Sequence, residues 1–84
     1  MKICFITFRS VTFAQRGEGV LRKAGVGCAL QRTPRWMEEQ GCGYCLRLPV
    51  GEIVGAVELL RQQKVQFRKV YGQYANGNVE ELQL

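Results

Sequence analysis

The stretch that decides the fold runs Lys2-Ile3-Cys4-Phe5-Ile6-Thr7-Phe8. It is rich in residues that favour β-structure, and apolar side chains occupy both alternating sets of positions. A strand that is apolar on both faces suits the interior of a sheet in which at least one face is covered. We therefore expect this stretch to be a central strand, with the rest of the chain packed around it.

The residues after this strand predict a helix. Thr12 and Gln15 have the spacing of a capping box, in which each side chain satisfies a backbone amide of the first turn. Apolar residues recur at helical intervals between Phe13 and Ala24. Gly25 is a natural end for the helix, because a residue without Cβ adopts the left-handed conformation at little cost.

Further along the chain, the pattern predicts three more strands and a second helix. Alternating apolar residues indicate strands over 26–31, 42–48 and 65–71. Between the last two strands, apolar residues at helical spacing indicate a helix that begins near Glu52 and ends around Gln63.

This order of elements, strand, helix, strand, strand, helix, strand, is the signature of the ferredoxin-like fold. We expect an α+β, βαββαβ two-layer sandwich in which residues 1–74 form a single domain and both helices cover one face of an antiparallel sheet. Strands one and three are then central, and strand three runs antiparallel to strands one and two. Residues 75–84 carry turn formers and acidic residues and are expected to form a loose C-terminal tail. The uncovered sheet face makes a homodimer a further expectation.

The composition restricts the available chemistry. Of the 84 residues, 46% are hydrophobic and 23% are charged, which is ordinary for a globular protein. The chain has no His, which excludes a Ser-His-Asp triad, a Cys-His nucleophile pair and a Cys2His2 zinc finger. The net charge of +5 favours anionic partners. We find no apolar run long enough to span a membrane and no signal-peptide pattern after Met1, so we expect a cytoplasmic protein without a membrane partner.

Four cysteines, Cys4, Cys28, Cys42 and Cys45, are fewer than disulfide-held secreted domains contain, which indicates a reducing compartment. In the expected topology Cys4 and Cys28 lie at one end of the sheet, separated by two strand spacings of roughly 4.8 Å each, which is too far for a disulfide. We expect both to be small buried apolar residues. The same separation weighs against a four-cysteine zinc or iron–sulfur site, so we expect no metal and no other cofactor.

The expected topology brings Cys42 to the opposite end of the sheet. There it lies near Arg9, near the start of the first helix around Ser10 to Phe13, and near the segment Arg32 to Arg35. Free helix amides, their partial positive charge and a nearby guanidinium all favour a thiolate over a thiol. Cys42 is therefore the candidate reactive thiol.

Two other interpretations of this region stay open. Cys42 and Cys45 have the spacing of a redox dithiol, although such pairs usually open a helix and this pair opens a predicted strand. Gly43-Tyr44 on the third strand also matches half of the aromatic motif of RNA-recognition domains. Leu46 stands where that motif has a second aromatic residue, and Phe5 on strand one has no clear partner.

Several segments taken together resemble one family of small bacterial proteins, the selenium/sulfur carrier protein-like family. The similarity covers roughly residues 2–74. The segments that carry it are Ile3-Cys4-Phe5-Ile6-Thr7-Phe8, the region of Ser10 and Thr12, Leu21-Arg22-Lys23-Ala24-Gly25-Val26, Arg32-Thr33-Pro34-Arg35, Cys42-Gly43 and Leu46-Arg47-Leu48-Pro49.

The resemblance implies a carrier rather than an enzyme, with selenium or sulfur held on Cys42 and handed to a partner enzyme. Donor and acceptor proteins are then the expected partners. The family's Cys-Gly falls on Cys42-Gly43 and its Pro-Arg on Pro34-Arg35. Cys45 stands where an apolar residue is common in the family, which suggests that Cys45 resolves an adduct on Cys42.

The candidate site therefore consists of two thiols and a group of binding residues. Cys42 and Cys45 are the reacting residues, and the binding residues are Arg9, Ser10, Thr12, Arg35 and Gly43. The helix amides near Ser10 and Thr12 and the guanidinium of Arg9 or Arg35 would stabilise the anion, and Gly43 would allow close approach. The alternatives from other classes are a basic ferredoxin-like module that binds RNA or another acidic partner, and a structural or regulatory homodimer. Nucleic acid is not expected as a partner of the carrier.

Overall fold

The computed structural model describes residues 1–34 and 43–84, so the candidate residues Arg35 and Cys42 lie outside the described residues. Within the described ranges the chain forms two α-helices and a five-stranded antiparallel sheet. A short 3-10 turn, Val50–Glu52, leads into the second helix. In chain order the elements are β1 Ile3–Phe8, α1 Val11–Lys23, β2 Ala29–Arg32, β3 Tyr44–Pro49, α2 Ile53–Gln62, β4 Val70–Gln73 and β5 Val79–Leu82.

The strand order in the sheet is β2-β3-β1-β4-β5. β1 is hydrogen-bonded to β3 on one side and to β4 on the other, which confirms its expected interior position. β3 runs antiparallel to both β1 and β2, also as expected. The α+β class with two helices and an antiparallel sheet is confirmed. The predicted four-stranded ferredoxin-like sheet is not matched strand for strand, because a fifth strand extends its edge.

That fifth strand lies in the segment predicted to be a loose tail. β5 pairs with β4 from Val70 opposite Leu82 to Gln73 opposite Val79. The connecting turn includes Gly77, whose φ of +92° is a conformation that side chains disfavour. The strand was missed because its short, acidic sequence carries little alternation, and it is stabilised by pairing with β4, which no local pattern reveals.

Alternate residues of β1 point into the main core. Cys4, Ile6 and Phe8 are at most 1% exposed and pack in one cluster with buried residues of both helices. The helix residues of that cluster are Ala14, Leu21, Ile53, Ala56, Val57 and Leu60. Both helices therefore cover the same face of the sheet.

The other residues of β1 form a smaller cluster on the opposite face. Phe5 and Cys45 are buried there, and Ile3 and Tyr71 pack against them. Thr7 lies on the same face, and its hydroxyl accepts a hydrogen bond from the Lys69 backbone N–H at 3.1 Å. β1 is thus buried on both faces, as its sequence indicates.

Both helices end in the same backbone motif. At the end of α1, Gly25 adopts φ +83° and the Val26 N–H donates to the Leu21 carbonyl at 2.9 Å. At the end of α2, Lys64 adopts φ +57° and the Val65 N–H donates to the Leu60 carbonyl at 2.9 Å. These are the bonds of a Schellman cap, in which a left-handed residue is followed by an apolar one.

The caps explain why two predicted strands begin later than expected. Val26 and Val65 appeared to open strands over 26–31 and 65–71, but they pack beneath the ends of the helices, and the strands begin at Ala29 and Val70. A second correction concerns the start of α1. The capping residue is Ser10, whose Oγ accepts the Phe13 N–H at 3.4 Å, whereas Thr12 lies exposed in the first turn.

The two caps predict opposite effects of substitution at corresponding positions. Lys64→Gly should raise the free energy of unfolding by about 1 kcal/mol, because glycine adopts positive φ without the steric cost of a Cβ. Gly25→Lys should lower it by about 1–2 kcal/mol for the same reason. Urea denaturation followed by circular dichroism measures both. A loss of stability in Lys64→Gly would contradict the cap assignment.

A second prediction separates two glycines of α1 that helix propensity alone would treat as equals. A Cβ on Gly19 meets no atom within 4 Å, so Gly19→Ala should stabilise the chain by about 0.5–1 kcal/mol. A Cβ on Gly17 would lie 2.9 Å from Phe8 Cζ in the core, where overpacking costs about 1–3 kcal/mol. Gly17→Ala should therefore be less stable than the parent chain in the same urea experiment, and equal gains for both variants would show that the Phe8 ring yields easily.

Candidate functional site

The end of β1 and the start of α1 hold three of the predicted binding residues. Arg9 follows β1 and is exposed, and Ser10 caps the helix. Ser10 is engaged twice, since its Oγ accepts the Phe13 N–H at 3.4 Å and its carbonyl accepts the Ala14 N–H at 3.1 Å. The first turn of α1 contains no acidic residue, so no carboxylate there offsets the partial positive charge of the helix end.

The start of β3 lies beside this helix end, as the predicted topology requires. Tyr44 is paired with Phe8 on one side and with Arg32 on the other. Gly43 and Arg9 each lie one residue beyond the Phe8–Tyr44 pair, so they occupy the same end of the sheet. The structure therefore places the predicted binding residues Arg9, Ser10, Thr12 and Gly43 at one end of the sheet.

Backbone contacts hold the β3 side of this region. Gly43 is buried, and its carbonyl accepts the Thr33 N–H at 3.1 Å. The Arg32 guanidinium lies 5.7 Å from the centroid of the Tyr44 ring, within the range of a cation–π contact. The Thr33 hydroxyl oxygen is buried and has no hydrogen-bond partner among residues 1–34 and 43–84. The region combines a rigid backbone with positive charge.

Cys45, the second predicted reacting thiol, has a different environment. It is 0% exposed and lies opposite Thr7 and Gln31 on the sheet face away from the helices. Its burial is compatible with the packing role of a small apolar residue. For Cys45 to act as a resolving thiol, this face of the sheet would have to open. Otherwise the second thiol would have to lie buried beside Cys45.

Comparison with known proteins identifies the family. A family model described as "Putative Se/S carrier protein-like" matches residues 3–72. The chain belongs to this family. The match begins with β1 and ends within β4, so β5 lies outside it. No curated protein and no solved structure matches the chain.

Two cysteines of this family member, Cys4 and Cys28, have environments that suit a packing role. Cys4 is 0% exposed in the main core, and burial raises the pKa of its thiol despite the nearby N-terminal ammonium. Cys28 is half-buried. Its burial raises its pKa, with Arg22 acting in the lowering and Glu18 in the raising direction. Neither Cys4 nor Cys28 is in a disulfide, and both favour the protonated thiol.

The aromatic residues do not form the platform that an RNA-recognition domain would use. Tyr44 is paired with Phe8 and lies on the helix-covered face, whereas Phe5 lies on the opposite face and is 5% exposed. The two rings therefore cannot stack bases on one surface.

Among residues 1–34 and 43–84, no group of three or more Cys, Asp or Glu side chains could hold a metal ion. No helix in these ranges is long and apolar enough to cross a membrane.

One group of residues near the site was missed by the sequence analysis. Arg9 lines a cavity together with Phe13 and seven residues between Arg61 and Lys69. Arg9 and Phe13 lie far in the sequence from the other lining positions, and no motif connects the two groups. The signal that could have indicated them is the run of basic residues between Arg61 and Lys69, which the sequence analysis interpreted as part of a helix and a strand.

The thiol environments predict a ranking of alkylation rates. Cys28 should react slowly with iodoacetamide at pH 7 and faster as the pH rises into the alkaline range, because its raised pKa leaves little thiolate near neutrality. Arg22→Gln should slow Cys28 further, because Arg22 acts to lower that pKa. Cys4 should react only on unfolding, since it is fully buried. Peptide mass spectrometry after timed labelling measures each rate, and fast labelling of Cys28 at pH 7 would contradict its assigned environment.

Proposed function

We propose that this chain carries selenium or sulfur as an adduct on the thiolate of Cys42 and transfers it to an acceptor protein. The family match over residues 3–72 is the observation that carries the proposal, because it spans Cys42 and the described residues around it.

Loading is a thiol exchange that needs no external oxidant. The Cys42 thiolate attacks the terminal sulfur of a donor persulfide, a new S–S bond forms at Cys42, and the donor's S–S bond breaks to release its thiolate. The perselenide case is the same, with an S–Se bond formed and broken. Delivery repeats the exchange with an acceptor thiolate, which restores the Cys42 thiolate. Atoms and electrons balance in both directions.

The described residues support an anionic state of such an adduct. A thiolate, and the terminal chalcogen of a persulfide or perselenide, both carry negative charge that a helix N-terminus and guanidinium groups stabilise. The start of α1 has no acidic residue in its first turn, and Arg9 precedes it. In this proposal Arg9 and Arg35 are the charged partners, Ser10 and Thr12 belong to the helix end that faces the anion, and Gly43 allows the partner's reacting atom to approach.

Cys45 has a separate proposed role in release. Its thiolate would attack Cys42 Sγ, form a Cys42–Cys45 disulfide and expel hydrosulfide or hydroselenide, and a cellular dithiol would then reduce the disulfide. Because Cys45 is 0% exposed, this internal release is expected to be slower than direct transfer to an acceptor. The carrier function therefore depends on Cys42 and not on Cys45.

The carrier proposal predicts which variant loses loading. The reduced protein, incubated with a small-molecule persulfide donor, should gain the mass of one sulfur atom in intact-mass spectrometry. Cys42→Ser should gain none, because the accepting thiolate is gone. Cys28→Ser is the matched control, since it removes a half-buried thiol elsewhere and should load like the parent. Cys45→Ser should also load, but should release less hydrosulfide in the absence of an acceptor.

The outcome that would overturn the proposal is equal loading of Cys42→Ser and the parent chain. Circular dichroism of each variant shows whether it is folded. Arg9→Gln gives an independent readout, because losing one cation should slow loading by about two- to fivefold, and the loss should shrink at high salt where charge is screened.

A further inference from the structure

A cavity of about 830 Å³ lies between the end of β1, the first turn of α1 and the segment that follows α2. Ligand sites for molecules of cofactor size typically span about 300–1,000 Å³. The residues described as lining it are Arg9, Phe13, Arg61, Lys64, Val65, Gln66, Phe67, Arg68 and Lys69.

The charged residues described as lining this cavity are all basic. Of its described residues, five are Arg or Lys and none is Asp or Glu. Cations gathered around one cavity repel each other, which costs folding free energy unless an anion compensates for it. Three of these cations are already engaged: Lys69 Nζ is 3.7 Å from Glu81 Oε1, Arg61 donates a hydrogen bond to the Leu84 carbonyl, and Arg68 makes an interaction of its own. Arg9 and Lys64 make no ion pair with any described residue.

Lys64 supplies an independent observation. It is the non-glycine residue with positive φ among the described residues, at +57°, and the corresponding position in the cap of α1 is Gly25. The same chain thus uses glycine where the cap has only a structural role and lysine where the cap borders the cavity. Strained residues are retained preferentially at functional sites. The lysine is costly for the cap and useful for a site that needs positive charge.

The end of α2 that borders the cavity carries the partial negative charge of a helix C-terminus, and its last carbonyls are capped. The carbonyls of Leu60 and Arg61 accept the N–H groups of Val65 and Lys64, so the cap occupies these helix-end acceptors. Phe13 and Phe67 add apolar surface, and the Arg61 guanidinium lies 5.7 Å from the centroid of the Phe67 ring. A cavity with several cations and two aromatic residues suits a compact anion of high charge with an organic portion.

We propose that this cavity binds a small molecule that carries two or more phosphate groups. Its phosphates are held by Arg9, Lys64 and the other cations of the lining. Gly43 is not among the described lining residues, and the inference does not rest on the carrier function. Its volume of about 830 Å³ lies within the range of small-ligand sites, which favours a small ligand over the extended backbone of a nucleic acid.

Isothermal titration of the full chain with ATP and with inorganic tripolyphosphate at low salt tests the proposal. Both should bind if the phosphates carry the affinity, and tighter binding of ATP would show that the aromatic residues contact its base. Lys64→Gly should weaken binding by about tenfold, as expected for the loss of one charge-assisted contact. The same variant should raise the melting temperature by about 4–8 °C, so weaker binding cannot be attributed to unfolding.

Three further variants keep the test specific. Lys64→Asn retains a residue that tolerates positive φ and removes the charge, so it should weaken binding like Lys64→Gly. Lys23→Gln is the matched control, because Lys23 is exposed at the end of α1 and does not line the cavity. It removes the same charge and should leave the affinity within about twofold, as expected for a distant exposed charge. Cys42→Ser should bind both ligands like the parent chain, which separates this site from the carrier chemistry.

Three results would overturn the proposal. One is the absence of binding by both ATP and tripolyphosphate at low salt. Another is an equal loss of affinity in Lys64→Gly and Lys23→Gln, which would indicate general attraction by the net charge of +5. The third is tighter binding of a single-stranded RNA oligonucleotide than of ATP, with no effect of Lys64, which would indicate a nucleic-acid surface outside the cavity.

Discussion

The burial of β1 on both faces is the constraint on which the rest of the structure depends. Its backbone is hydrogen-bonded to β3 and β4, one set of its side chains fills the helix-covered core, and the other set forms the smaller cluster around Phe5. A strand in this position fixes the register of both neighbours, because a slip by one residue would turn Ile6 and Phe8 out of the core. The positions of both ends of β1 relative to its neighbours are therefore fixed.

Both proposed functions involve one such point. Where β1 ends, Arg9 and the amides of α1 meet the start of β3, and this is where Gly43, the residue after Cys42, is held by Thr33. The charge of this end is not balanced within the first turn of α1, since that turn has no carboxylate. An electropositive corner on a rigid sheet is suited to stabilising an anion at low reorganisation cost, whether that anion is a thiolate adduct or a phosphate. Arg9 borders both proposed sites, so its positive charge contributes to each.

The two helix caps differ in the residue that occupies the position with positive φ. Gly25 and Lys64 occupy equivalent positions of the same motif, and the residues after them, Val26 and Val65, pack against the same core. Only the second cap borders the basic cavity. In a domain of this size the net stability is a few kcal/mol, so a strained lysine represents a substantial share of it. The phosphate site proposed above would account for the difference, because it needs positive charge at Lys64.

The sequence by itself determined the features that depend on local periodicity and steric preference. These include the α+β class, the interior position of β1, the end of α1 at Gly25 and the burial of Cys4, because each follows from the residue types along one short segment. It also supported the antiparallel placement of β3, which brings Gly43 beside the start of α1. Family resemblance, confirmed over residues 3–72, added a family assignment that periodicity cannot show.

Only the tertiary structure decided the features that depend on contacts between distant segments. β5 exists because β4 offers a free edge, the apolar residues Val26 and Val65 belong to helix caps instead of strands, and Phe5 and Tyr44 fall on opposite faces of the sheet. The basic cavity is the clearest case, since Arg9 and Lys64 are separated by most of the chain. Their proximity arises from the packing of α1 and α2 on one face of the sheet, a long-range arrangement that no local pattern encodes.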